Sequence, residues 1–251
     1  MSGDQRLSRR AVLGTLSAGL IVPFQGRPGP TVPPADEQDL DPGVEPDEPV
    51  DPSVPPPAHG LALPAMPVIH RRAEWGARAP KKPAEVLSRG PDHIVIHHTD
   101  SPNSADPSLA HAFRLSRDIQ WFHMTRRGWD DIGQQLTISR GGHVMEGRNR
   151  SLTSILGRDL AVGAQTRHQN DHTIGIENEG TYMTAPVAPS LWNSLVPVCG
   201  WLCTVYGLDP FRSIVGHRDY VNTDCPGDVF YRRLPELRRA VAGYLSRRDR
   251  R

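Results

Sequence analysis

The clearest apolar block in the chain is "IVI" at 94–96, set between His93 and the polar pair His97-His98. A short β-branched run of this kind predicts a buried central strand over 93–99. Successive side chains of a strand point to opposite faces, so only one of His97 and His98 faces a given site. Leu109, Phe113, Ile119 and Phe122 then recur at near-helical spacing and predict a helix to about Met124. Asp106 is placed to cap it, with Pro107 at the first helical position. "QQLTISR" and "HVMEGR" straddle Gly141-Gly142 and read as a β-hairpin with a glycine turn. In "HTIGIENEG" (172–180), Ile174 and Ile176 alternate with polar residues, which predicts another strand. A helix is expected from about Pro189 to Tyr206, kinked or split at Pro197. "RSIVGHRD" predicts a short strand, and Pro235 starts a last helix. Strands and helices alternate irregularly, with one hairpin and no internal repeat. The pattern favours an α/β fold, a central mixed β-sheet flanked by α-helices.

Composition changes this picture at the front of the chain. The stretch 23–67 is rich in proline and acidic residues and nearly free of aromatics. It offers too little apolar surface to offset backbone ordering, about 1–2 kcal/mol per residue. It therefore reads as a disordered, semi-extended linker. Before it, Arg9 and Arg10 follow Ser8 and precede a short, weakly apolar run. That run falls short of the ~20 residues a membrane span needs. Residues 1–22 read instead as a twin-arginine export signal. The expected organisation is thus signal 1–22, linker 23–67 and a folded domain 68–251, exported to the cell wall or beyond as a monomer with no stable membrane insertion. A net charge of +1 gives no global field for nucleic acid. Cys199 and Cys203 lie four apart in a helical pattern, where a disulfide would be strained, and read as buried small apolar residues.

Candidate chemistry collects at strand ends. His97 follows "IVI", Glu177 lies within "IGIENEG", His217 follows "SIVG", and Cys225 stands beside the turn in "DCPGD". Two histidines and a cysteine form a three-ligand set of the kind that leaves a fourth position on zinc open, whereas structural zinc sites take four protein ligands. A closed site would need Asp219 or Asp224 as the fourth ligand. Spacing alone does not decide, because 11 histidines offer many such triplets.

The order of several motifs goes further. "RAEWGARAP" (72–80), "IVIHHT" (94–99), "IQWFHMTRRGWDDIG" (119–133), "EGR" (146–148), "GAQTRHQNDHTIGI" (163–176) and "GHRDYVNTDCPGD" (216–228) together resemble the peptidoglycan recognition protein / type-2 N-acetylmuramoyl-L-alanine amidase family. The resemblance runs from about residue 69 to 245 and implies that family's fold. It also implies a Zn2+ ion on His97, His217 and Cys225, and a peptidoglycan or muropeptide substrate. The activity it implies is hydrolysis of the amide between the muramyl lactyl group and L-Ala. By the same resemblance His98 turns to the core and His123 is structural. His93, His111, His143, His168 and His172 read as surface or loop residues. The chain departs from the family pattern at Gln134, where a tyrosine is usual, and at Gln165, where "GAH" is frequent and the residue is expected near the substrate carbonyl. Glu177 matches a glutamate of tyrosine-lacking members and is the expected general base, with Glu179 as its competitor two residues on. Thr223 reads either as a donor to the developing oxyanion or as a plain turn residue. The other reading of the whole domain is a recognition module that binds peptidoglycan without cutting it.

Overall fold

The structure is a computed structural model and describes residues 66–248. The expected export signal and all but the last two residues of the expected linker lie outside the described residues. The elements in chain order are β1 (Ile69–His70), β2 (Val86–Leu87), β3 (His93–His98), α1 (Leu109–Trp121), β4 (Leu136–Ile138), β5 (Val144–Glu146), α2 (Ser151–Leu156), β6 (Leu160–Ala161), β7 (Thr173–Asn178), α3 (Pro189–Tyr206), α4 (Pro210–Ser213), β8 (Ile214–Gly216), α5 (Asp228–Arg232) and α6 (Leu234–Arg248). One sheet has the order β1-β5-β4-β7-β3-β8, and β2 pairs with β6 separately. β4, β7, β3 and β8 are mutually parallel neighbours, while β4 and β5 form the antiparallel hairpin. The expected mixed sheet flanked by helices is the observed one.

Strand alternation divides the sheet into two chemically different faces. Ile94, Ile96, Ile174, Ile176, Leu136 and Ile138 point to one face and are fully buried. They pack with Leu191, Leu195, Val198, Trp201 and Leu202 of α3 and with Leu237 and Val241 of α6 in one core. Burying each such side chain is worth roughly 1.5–3 kcal/mol. Cys199 and Cys203 lie in this core as free, buried thiols. The other face has a smaller apolar cluster, Trp75, Ala112 and Met145. Next to it, buried Asp131 accepts from Gln120 Nε2 at 2.7 Å, from the Asn149 backbone N–H at 2.9 Å and from Asn149 Nδ2 at 2.8 Å, and pairs with Arg72 at 3.1 Å. This network ties the "RAEWGARAP" and "WDDIG" segments together and leaves the rest of that face open at the parallel strand ends.

Two local expectations change. The first helix starts at Leu109, not at Pro107, because Ser108 Oγ accepts from the His111 N–H at 3.2 Å. Asp106 instead accepts from the Ser108 N–H at 2.9 Å, a turn that feeds the cap. The helix then widens into a π-helical turn over Phe122–Arg126. Helix α3 runs unbroken through Pro197. Pro197 has no N–H for the Asn193 carbonyl, but Asn193 is exposed, so water is available to that oxygen.

Truncating a side chain of the covered face should be costly, and truncating an exposed one should not. Ile176→Ala is expected to lower unfolding free energy by about 2–5 kcal/mol. Val68→Ala, at a side chain 80% exposed, should stay within about 0.5 kcal/mol. Urea denaturation of the two variants checks the contrast.

Candidate metal centre

Register brings the polar residues into a row. His97 of β3 pairs laterally with Glu177 of β7, and Glu177 with Thr137 of β4. β8 pairs with β3 through Gly216, opposite Ile96, so His217 emerges beside His97. Their rings lie 4.4 Å apart, centre to centre. The loop after His217 returns Cys225 to the same point, with Sγ 3.6 Å from His97 Nδ1. The donor atoms of His97, His217 and Cys225 all fall within 4.8 Å of one another. Among the described residues no fourth His, Cys, Asp or Glu donor joins this group, and neither Asp219 nor Asp224 reaches it. Asp219 is taken up by the Gly216 N–H at 2.8 Å and by the Tyr231 hydroxyl.

The hydrogen-bond chain behind His97 fixes which of its nitrogens is free. The Thr173 hydroxyl donates to the Gln169 carbonyl at 2.6 Å, so its oxygen accepts from Gln165 Nε2 at 2.8 Å. Gln165 therefore turns Oε1 toward His97 Nε2, 2.6 Å away, and the proton of the imidazole sits on Nε2. Nδ1 is left with its lone pair facing Cys225. A histidine held by a carbonyl on one nitrogen and open on the other is how a metal-bound imidazole is oriented. Burial pushes His97 down to about 3, with His217 adding to the effect, so the ring is neutral as a ligand must be. Cys225 is positioned by three contacts. The His98 N–H donates to Sγ at 3.4 Å, Thr223 Oγ1 accepts the Cys225 N–H at 3.2 Å, and Arg218 clamps the Cys225 and Asp224 carbonyls. Burial and the Glu177 carboxyl raise the thiol, which a bound cation would reverse. Two neutral imidazoles and a sulfur with an open side match zinc's donor preferences.

Among the described residues Glu177 has no hydrogen-bond partner, and burial pushes its carboxyl up to about 8. Glu179 is committed elsewhere: it accepts from the Arg140 N–H at 2.7 Å and pairs with His111 at 2.6 Å. It does not line the cleft, which leaves Glu177 as the available carboxyl of the pair. The cleft has a volume of about 900 Å3 and is lined by Glu177, Thr223, Gln134, Arg127 and Arg167 besides the three donors. Gln134 is fully buried and donates to Thr137 Oγ1 at 2.9 Å, while its Oε1 finds no protein partner. His98 points to the other face, where its Nδ1 accepts from the Tyr182 N–H at 3.3 Å. His123 accepts from the Gly133 N–H at 3.1 Å and stacks on Trp129. Gln165 lines the cleft and has a further role, as a strut whose oxygen is held by His97 and Thr166. Nothing in the local sequence marks it. Only Gly175 hints at it, because a Cβ there would come within 2.6 Å of Gln165 Cγ.

A sequence profile described as N-acetylmuramoyl-L-alanine amidase matches residues 87–228. The chain belongs to this family. It is 32% identical over 171 residues to the N-acetylmuramoyl-L-alanine amidase of Sus scrofa, covering 67% of this chain and 27% of that protein. It is 31% identical over 166 residues to peptidoglycan recognition protein 1 of Bos taurus, covering 65% of this chain and 80% of that one. Among solved structures, peptidoglycan recognition protein-LE in complex with tracheal cytotoxin, a monomeric diaminopimelic acid-type peptidoglycan, aligns with a TM-score of 0.58 at 26% identity. That alignment covers 67% of this chain and 92% of the other. The chain thus shares its fold with peptidoglycan amidases and recognition proteins, and spans 27% of the length of the porcine enzyme.

Two outcomes follow from this geometry. Gly175→Ala should push Gln165 off His97 and weaken zinc binding by about 10–100-fold, read by chelator competition. Glu177 gives the metal-free protein a pH dependence. Its carboxyl ionises near 4.5 when unfolded and about 8 when folded, so its stability contribution is lost as pH rises through that window. With chelator present, Glu177→Gln should therefore become more stable than the parent, by a margin that widens from about pH 5 to pH 8. A margin independent of pH in denaturant titrations would contradict the assignment.

Proposed function

We propose that this chain is a zinc-dependent N-acetylmuramoyl-L-alanine amidase, which hydrolyses the amide between the muramyl lactyl group and L-Ala of peptidoglycan stem peptides. The observation that carries this reading is a half-buried carboxyl, without a hydrogen-bond partner among the described residues, beside three converging metal donors in an open cleft. His97 through Nδ1, His217 and Cys225 hold the ion, and the Gln165 strut keeps His97 in the right tautomer. When bound, zinc supplies Lewis acidity, polarising the amide carbonyl and bringing the pKa of water toward 7.

Glu177 takes a proton from the attacking water and returns it to the leaving L-Ala nitrogen. Burial raises this carboxyl in the metal-free protein, and a cation held by the three donors would lower it toward the carboxylate form that accepts the proton. Thr223 uses a lone pair on the Cys225 N–H and keeps its hydroxyl proton, which it donates to the oxygen that becomes negative in the tetrahedral state. Gln134 cannot accept a proton from water, so it plays no acid–base part. A muropeptide in the cleft is supported by the related protein-LE, whose structure holds a monomeric peptidoglycan. Arg127 and Arg167 line the cleft and suit the carboxylates of such a ligand. Twin-arginine export of a monomer would deliver the domain to that substrate.

A binding-only module is the second reading. Gln134, in place of the usual tyrosine, and relatives named for recognition favour it; Cys225 and Glu177 count against it. Glu177→Gln should keep its zinc and lose about 10²–10⁴-fold in turnover, measured as stem peptide released from purified sacculi. Cys225→Ala should lose the zinc of this centre and activity together. Release of stem peptide by Glu177→Gln at the parent rate would remove Glu177 as the base, and a zinc-loaded parent that releases none would return the domain to the recognition reading.

A further inference from the structure

The same face of the sheet carries a second group of donor atoms at its opposite end. His93 opens β3, four residues before His97, and His172 directly precedes β7. At about 3.3 Å per residue this places His93 roughly 13 Å from the first centre. Asp92 Oδ1 lies 2.6 Å from His93 Nδ1 and 2.8 Å from His172 Nδ1. The three donor atoms all fall within 4.8 Å of one another. His172 has a second acceptor on its other nitrogen, Gln169 Oε1 at 2.7 Å from Nε2. A neutral imidazole has one N–H and cannot donate to both. With Nε2–H given to Gln169, the Nδ1 lone pair faces a carboxylate oxygen, a contact that calls for a positive charge between them. A similar arrangement, an amide oxygen on Nε2 and an acidic donor group across from Nδ1, marks His97 in the first centre.

We propose that Asp92, His93 and His172 form a second divalent-cation site, separate from the His97, His217 and Cys225 centre. Two imidazoles and a carboxylate suit a first-row divalent ion such as Zn2+. The side chains of Asp92, His93 and His172 are 61%, 32% and 28% exposed, so an ion enters from solvent and water completes its coordination. The Tyr220 ring stands edge-on to both imidazoles at 6.1 Å and walls one side. An ion here ties the start of β3 to the loop that carries Gln169 and Gln165. It reaches the first centre through the Thr173–Gln169 contact and the loop's own hydrogen bonds to Gln165 and Thr166, and its chemistry does not depend on amidase activity.

Zn2+ titration of the full chain tests this. In Cys225→Ala, which disables the first centre, one Zn2+ per chain should still bind. His93→Ala or His172→Ala in that background should weaken it at least tenfold, the pair together should abolish it, and Gln169→Leu should weaken it about tenfold. No binding by folded Cys225→Ala, or binding that survives loss of both histidines, would overturn the site. The parent chain gives an independent count with Co2+: two ions are expected, one with thiolate-to-cobalt absorption and one without. A single ion per chain overturns the inference. So does a His172 ring that titrates with pH yet is unmoved by Zn2+ in NMR spectra, which would mean that a proton alone supplies the charge.

Discussion

The site depends on where one proton sits. His97 is buried among strands that exclude water, and a buried imidazole stays neutral with a single N–H to give. Gln165 claims that N–H, and Gln165 is itself held the right way round by a threonine whose own proton goes to a backbone carbonyl. Each link has only one way to be satisfied, so the order of donors and acceptors is decided at the far end of the chain of bonds. The consequence at the near end is a lone pair aimed at Cys225. Remove the strut and the ring is free to rotate or change tautomer, and the three donors no longer share a focus.

Sheet register does the coarse positioning that this strut refines. Parallel pairing of β3 with β7 sets His97 beside Glu177, and the alternation that sends Ile94, Ile96, Ile174 and Ile176 into the core sends the histidine and the carboxyl to the opposite face. A slip of one residue would exchange the two sets. The large core under α3 and α6 therefore specifies the site as well as stabilising the fold. Glu177 is a cost of that arrangement: a desolvated carboxyl without a partner among the described residues opposes folding as pH rises, and such local conflicts are expected where chemistry is done.

On the proposed reading, the open face of one sheet has two stations joined by the hydrogen bonds of one loop. Gln169 belongs to both, with its side chain on His172 and its carbonyl on Thr173. The loop between Ala164 and His172 thus works as a strap across the face, anchored at each end by a histidine.

The sequence by itself determined the elements and, through the family resemblance, pointed to the candidate donors. "IVI", "TIGIEN" and the helical spacing of α3 and α6 carry their periodicity openly, and the motif order made the family legible. His97, Glu177, His217 and Cys225 were visible because strand ends and a tight turn are local features. What sequence could not give were facts of contact. Ser108 displaced Asp106 as the cap by a difference of one hydrogen bond, and Pro197 was tolerated because its side of α3 faces water. Glu177 and Glu179 share a face by spacing, and only the partners of Glu179, Arg140 and His111, distant in the chain, separate them. Gln165 reads in sequence as a departure near the substrate and in the fold also supports His97, and His93 and His172 read as surface or loop residues until the fold brings them to Asp92. Local preference is written into neighbouring residues; tautomers, hydrogen-bond partners and shared donor sites arise from residues that meet only when the chain has folded, and so the tertiary structure decided them.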